Sequence, residues 1–188
     1  ARIAREAGLE PLAQALWQDP DRDPAAEPLE QELVHQGALT WADVDWIASL
    51  TELPLVLKGV MDARDAVAAV EHGASAVYVS NHGGRLLDHM RSLVEVLPEI
   101  VAAVGDSAEV VVDGGFVHGE DAVKAVALGA RPVLLGKLQC WGLAAGGATA
   151  LGRMLDLLHE EIARTLPQLG VTRVADIGPD HAEDAGWV

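Results

Sequence analysis

The chain has 188 residues, 50% of them hydrophobic, with 13 Lys and Arg against 29 Asp and Glu and a formal net charge of -16. That length accommodates one domain with a substantial core but falls short of the roughly 250 residues of a whole α/β barrel. The acidic balance argues against nucleic acid and anionic membrane as partners, because phosphate-rich surfaces are bound by clustered Lys and Arg, and no apolar run reaches the ~20 residues of a membrane span.

A single cysteine, Cys140, excludes an internal disulfide and any cysteine-based zinc site within this sequence. It suits a reducing compartment, so the expected location is the cytoplasm. No cationic segment followed by an apolar one opens the chain, so no secretory signal is expected.

In chain order, residues 1–16 are Ala-, Leu- and Arg-rich and weakly helical, with Pro11 interrupting. Residues 18–32 set Pro20, Pro24 and Pro28 among acidic residues. Such a stretch buries too little apolar surface to offset its ordering entropy and reads as a loop or linker. Residues 1–38 are therefore set apart from a domain over 39–178, with 179–188 as an acidic tail. Thr40 followed by Asp43 has the form of a capping box, which predicts a helix over 41–50.

From there apolar strands alternate with amphipathic helices. Strands are expected at Leu53–Val60, Ala76–Ser80, Glu109–Val112 and Pro132–Leu135, with helices at Ala63–His72, Ser92–Val104, Glu120–Leu128 and Thr149–Leu166. Gly73, Gly105 and Gly129 each follow a helix, where a left-handed cap is favoured. This alternation means βαβ units and a parallel sheet, so the fold class is α/β.

Polar residues gather where the strands end. The second strand empties into Ser80, Asn81, His82 and Arg85 around Gly83-Gly84, and a buried strand has no need of an imidazole and a guanidinium at its mouth. In parallel barrels that end of each strand presents reactive groups. His82 is the only histidine so placed; His72 precedes the helix-ending Gly73, and His35, His89, His118, His159 and His181 read as solvated. Lys58 ends the first strand beside apolar neighbours, a costly position unless negative charge meets it. Arg85 has the planar fork that suits a carboxylate. Asp113-Gly114-Gly115 and Gly136-Lys137 end the last two strands and have the form of loops whose backbone N–H groups cradle phosphate. No metal site is expected.

The runs LPLVLKGV, VSNHGGRLLD, VVVDGG, KAVALGARPVLLGK and WGLAAGG resemble, in order, successive motifs of the FMN-dependent α-hydroxy-acid oxidases and dehydrogenases, the glycolate oxidase and lactate dehydrogenase group. The resemblance implies the C-terminal half of a TIM barrel, with four βα units, FMN as cofactor and a small 2-hydroxy carboxylate as substrate. It implies Lys58 at the flavin edge, His82 as the base, Arg85 on the substrate carboxylate and Ser80 near the flavin ring. Asp113, Gly114, Gly115, Gly136 and Lys137 would line its ribityl-phosphate end.

Three departures carry weight. The family's DGG is followed by a hydrophobic residue and two arginines, where this chain has Phe116-Val117-His118. Its last strand's glycine precedes arginine, where Lys137 stands, and glutamine occupies the place of Leu86. Replacing one guanidinium by Val117 removes a contact of roughly 1.5–3 kcal/mol, which predicts weakened FMN binding. The first four strands of such a barrel have no counterpart before residue 39, so an N-terminal half or a second copy of this chain is expected to complete it. The rival readings are a half-barrel scaffold that has lost FMN and an isomerase-like phosphate-binding barrel using His82 without flavin.

Overall fold

The computed structural model describes residues 39–183; the loop, linker and weak helix expected over 1–38 lie outside the described residues. The chain divides into two compact units, Ala1–Leu55 and Val56–Val188. In the first, helix α1 (Trp41–Ser49) opens as the sequence predicts. Thr40 donates both its backbone N–H, at 2.7 Å, and its hydroxyl, at 2.6 Å, to the Asp43 carboxylate. Two donors at the helix start are thereby satisfied.

The second unit carries β1 (Leu55–Val60) from Val56 onward, α2 (Ala63–Glu71), β2 (Ala74–Val79), α3 (Leu93–Val104), β3 (Glu109–Asp113), α4 (Gly119–Ala127), β4 (Val133–Leu134) and α5 (Lys137–Gln168). The strands form one sheet in the order β1-β2-β3-β4. β2 and β3 run parallel with Tyr78 opposite Val111, and β3 and β4 run parallel with Asp113 opposite Leu134. Each strand reaches the next through a helix, the connection that parallel neighbours require. The helices start where the sequence places caps: Asp62 accepts from Arg64 N at 2.8 Å, and Glu95 accepts from Ser92 N at 2.9 Å.

Apart from the start of α5, the boundaries fall within two residues of expectation, and two of the shifts have a local cause. β1 begins at Leu55 rather than Leu53, because Pro54 has no N–H to contribute to a ladder. The last helix begins at Lys137 rather than Thr149 and is broken at Gly146 and Gly147, whose φ/ψ of 179°/33° and 64°/-148° are not helical. Residues 137–145 are rich in good helix formers; the glycine pair interrupts the helix instead of delaying its start.

Alternation along the strands builds two unlike faces. Val77, Val79 and Val112 are fully buried, as are Ala66 and Ala69 of α2, while Leu97 and Ile100 of α3 are nearly so. On the other face lie Tyr78, Val111, Asp113 and Leu134, with Val56 and Lys58 in alternation on β1. There Val111 is buried, but Val56 is 47% and Leu134 38% exposed. The segment after α5 forms two short 3-10 turns, Val174–Asp176 and Pro179–His181. Between them Ile177 is buried in a cluster with Val123, Ala127 and Leu166.

α4 and α5 approach closely at Gly119, where an added Cβ would fall 2.6 Å from Leu158 O. Glu161 of α5 uses the gap, accepting from Gly119 N at 2.6 Å and lying 3.4 Å from His118 Nδ1. His118, expected to be solvated, thus has a partner, as does His181, whose Nδ1 accepts from Gly178 N at 3.0 Å.

Candidate active site

The C-terminal ends of β1, β2 and β3 bring four of the sequence's candidate residues together. Lys58 Nζ donates to Ser80 Oγ at 2.8 Å and stands 3.5 Å from Asp113 Oδ2. Ser80 is the one polar side chain fully buried among the described residues. Its Oγ also accepts from His82 N at 3.3 Å, so a single hydroxyl joins the cation to the turn that bears the imidazole. A serine oxygen has two acceptor positions, and both are taken.

The turn is wound tightly. His82 has φ 53°, and Gly83 and Gly84 have φ 70° and 72°. A left-handed histidine is uncommon and costs of order 1–3 kcal/mol unless its surroundings impose it. Three bonds do so here: Asn81 Oδ1 accepts from Gly83 N at 3.1 Å, Arg85 Nε donates to His82 O at 3.1 Å, and Lys137 Nζ donates to Gly83 O at 2.9 Å. Lys137, expected at a phosphate, reaches back from the end of β4 to hold the histidine turn.

The His82 ring lies against Gly59, where an added Cβ would sit 3.1 Å from Cε1. Burial holds its pKa below the ordinary value, helped by the Lys58 and Arg85 charges and opposed by Asp113. The imidazole is therefore neutral at neutral pH and able to accept a proton.

Tyr78 is a member of the cluster that the sequence did not single out. Its O–H donates to Asp113 Oδ2 at 2.8 Å, and Lys58 Nζ sits 4.7 Å from its ring centroid. The signal was available: with side chains alternating along a strand, Tyr78 shares a face with Ser80. Asp113 Oδ1, the other carboxylate oxygen, is buried and has no hydrogen-bond partner.

The glycine loops differ in character. An added Cβ at Gly114 would fall 2.5 Å from Leu93 Cδ1, so that residue serves packing, whereas Gly115 and Gly136 have no heavy atom within 4 Å of such a Cβ. Val117, in place of an expected guanidinium, is 42% exposed and donates its N–H to Asp121 Oδ2 at 3.1 Å. His118, Glu120 and Glu161 place three possible ligand atoms within 4.8 Å of one another, but Glu161 is engaged in capping α4.

Comparison with known proteins gives this geometry a context. The family model of FMN-dependent dehydrogenases matches residues 5–184. An L-lactate oxidase of Nostoc sp. is 49% identical over 140 residues, covering 74% of this chain and 38% of that protein. A pre-mycofactocin synthase of Mycobacterium tuberculosis is 48% identical over 140 residues, covering 74% of this chain and 35% of that protein. Among solved structures, a soluble mutant of the membrane-associated (S)-mandelate dehydrogenase of Pseudomonas putida superposes with a TM-score of 0.73 at 42% identity, covering 77% of this chain and 41% of that one. The chain thus spans well under half the length of the relatives it matches. Its four βα units are a partial TIM barrel, as the sequence predicts.

Proposed function

The chain belongs to the FMN-dependent dehydrogenase family, and from that premise we propose that it is the C-terminal half of an enzyme that oxidises a small 2-hydroxy carboxylate to the 2-oxo acid. The observation that carries this reading is the convergence of Lys58, Ser80, His82 and Asp113 at one mouth of the sheet, with Arg85 anchored to the carbonyl of the histidine.

The residues present fit FMN. The buried, unpartnered Asp113 Oδ1 is an acceptor awaiting a donor, and a ribityl chain carries hydroxyls. Gly115 and Gly136 leave open space beside their backbone, as a phosphate bound by N–H groups requires. Gly114 supports them by its packing, while Lys137, whose ammonium donates to Gly83 O, steadies the histidine turn instead. FMN, when bound, supplies a two-electron acceptor.

The chain's own residues do the remainder. Arg85 holds the substrate carboxylate through its guanidinium while Nε stays tied to the turn. His82 takes the substrate proton at its ring nitrogen, a role for which its lowered pKa keeps it free. Lys58, fixed by Ser80 and Asp113, places a positive charge where negative charge accumulates during the oxidation. The lactate oxidase and the pre-mycofactocin synthase match the chain about equally, at 49% and 48% identity. The choice of a 2-hydroxy acid therefore rests on Arg85, whose fork matches a carboxylate.

The rest of the barrel comes from an upstream part of the same polypeptide or from a second chain. The exposed Val56 and Leu134 support this. Covering such residues is worth up to about 1.5–3 kcal/mol each. Among the described residues no helix is long and apolar enough to cross a membrane, and exposed Cys140 without a disulfide fits a cytoplasmic site. The domain over 39–178 ends, in this reading, at the turn after Ile177, with 179–188 as its tail.

Val117 favours one second reading, a half-barrel scaffold that has lost FMN. Titrating the whole protein with FMN separates the two: saturable binding supports the enzyme, and its absence at millimolar FMN supports the scaffold.

A further inference from the structure

Taking the flavin reading above for the identity of the ligand, we propose that Tyr78 is a positioning residue of this site: its phenol fixes the Asp113 carboxylate and its ring supports the Lys58 ammonium, so that Asp113 Oδ1 is left to accept from a hydroxyl of the bound FMN.

β2 lies between β1 and β3 in the sheet, so Tyr78 occupies the gap that Lys58 and Asp113 must span. Lys58 alone could draw Asp113 toward itself, but their approach is only 3.5 Å, whereas the phenol hydrogen bond to the same Oδ2 is 2.8 Å. The tyrosine therefore sets the rotation of the carboxylate more tightly than the cation does. With Oδ2 shared by the phenol and the ammonium, the acceptor capacity still unused is on Oδ1, which is buried and unpartnered. A buried carboxylate oxygen without a donor is costly, and it is retained where a ligand supplies the donor.

The ring has a second part. Lys58 Nζ lies 4.7 Å from the Tyr78 centroid while donating to Ser80 at 2.8 Å, a cation–π contact that adds to the hold on the ammonium. Burial and the hydrogen bond to Asp113 push the phenol pKa up to about 12, so the tyrosine stays a donor throughout the neutral range. Phenylalanine would fill the same space and keep the ring contact; the hydroxyl is the part that acts on Asp113.

The test is a double-mutant cycle on the whole protein that carries this chain, read by quenching of flavin fluorescence on FMN binding. Tyr78→Phe should weaken the Kd for FMN about tenfold, the order of one hydrogen bond to a charged group. In the Asp113→Asn background, Tyr78→Phe should change the Kd less than about twofold, because its target is gone. Equal losses in both backgrounds, or no loss in either, overturn the proposal.

If the wild-type protein binds no FMN, the flavin reading fails, and the positioning role is then decided without ligand. Rapid pH-jump absorbance, corrected by subtracting Tyr78→Phe, isolates the Tyr78 phenolate. Asp113→Asn should move its ionisation down toward the ordinary value. An ionisation unmoved by Asp113→Asn overturns the coupling between the two residues.

Discussion

Lys58 and Asp113 stand on strands that are not neighbours, β1 and β3, yet their charges meet at 3.5 Å across the strand between them. That intervening strand carries Tyr78, which donates to Asp113, and the chain leaving it carries Ser80, which accepts from Lys58, and then the turn that bears His82. The charge on Lys58 and the base at His82 are thus set by one short segment, and a change at its buried hydroxyl should be felt by both.

Ser80→Ala tests that connection. It removes the acceptor shared by Lys58 Nζ and His82 N, leaving two donors to find other partners. The expected cost is about 1–3 kcal/mol of stability, measured by denaturant unfolding, together with a roughly tenfold to hundredfold drop in turnover. A variant with unchanged stability and turnover would mean that Ser80 does not organise the site.

The pH dependence follows from the direction in which His82 is shifted. Its pKa lies below the ordinary value of about 6.5, and a general base works only when unprotonated. Turnover at low substrate should be flat above the His82 pKa and fall tenfold per pH unit below it. Asp113 is the neighbour that raises this pKa, so Asp113→Asn should carry the acid limb to still lower pH. A limb that moves to higher pH in that variant contradicts the assignment.

Gly59→Ala should disturb the imidazole without removing any polar side chain. The new methyl would stand 3.1 Å from His82 Cε1, at a φ of 99° that a side chain rarely adopts. Strain of this kind costs about 1–3 kcal/mol. Turnover should fall at least tenfold while FMN affinity stays within about threefold of wild type, as read by fluorescence titration. Loss of both together would mean that the substitution unfolds the site rather than displacing its base.

Val117→Arg addresses the departure at the phosphate end. Val117 is exposed two residues before α4, next to the glycine loop assigned to the phosphate. FMN binding should tighten tenfold or more, from a contact of roughly 1.5–3 kcal/mol. An unchanged Kd would place the phosphate elsewhere.

Most of this site was legible because polar residues at strand ends are conspicuous against apolar strands. Lys58 and Asp113 end hydrophobic runs, His82 and Arg85 follow one in a polar, glycine-containing stretch, and the alternating helices place all four at one end of the sheet. Tyr78 was passed over for the converse reason, although its place on the Ser80 face could be read from alternation. An aromatic inside a strand reads as core, and only the structure shows its hydroxyl on Asp113. Nor does any local signal tie Lys137 to Gly83 O, 54 residues away in sequence. The early start of α5 was masked by its glycines, which serve as a break inside a helix.

The most direct measurement is anaerobic rapid mixing of the FMN-loaded whole protein with lactate, glycolate or mandelate, following the visible flavin band in wild type and in His82→Ala. Wild type should bleach in proportion to bound flavin with at least one of these acids. His82→Ala should retain its flavin yet bleach 10²–10⁴-fold more slowly, the usual contribution of a general base. Equal bleaching rates in the two proteins, or no bleaching of a flavin-loaded wild type by any of the three acids, would contradict the proposed chemistry.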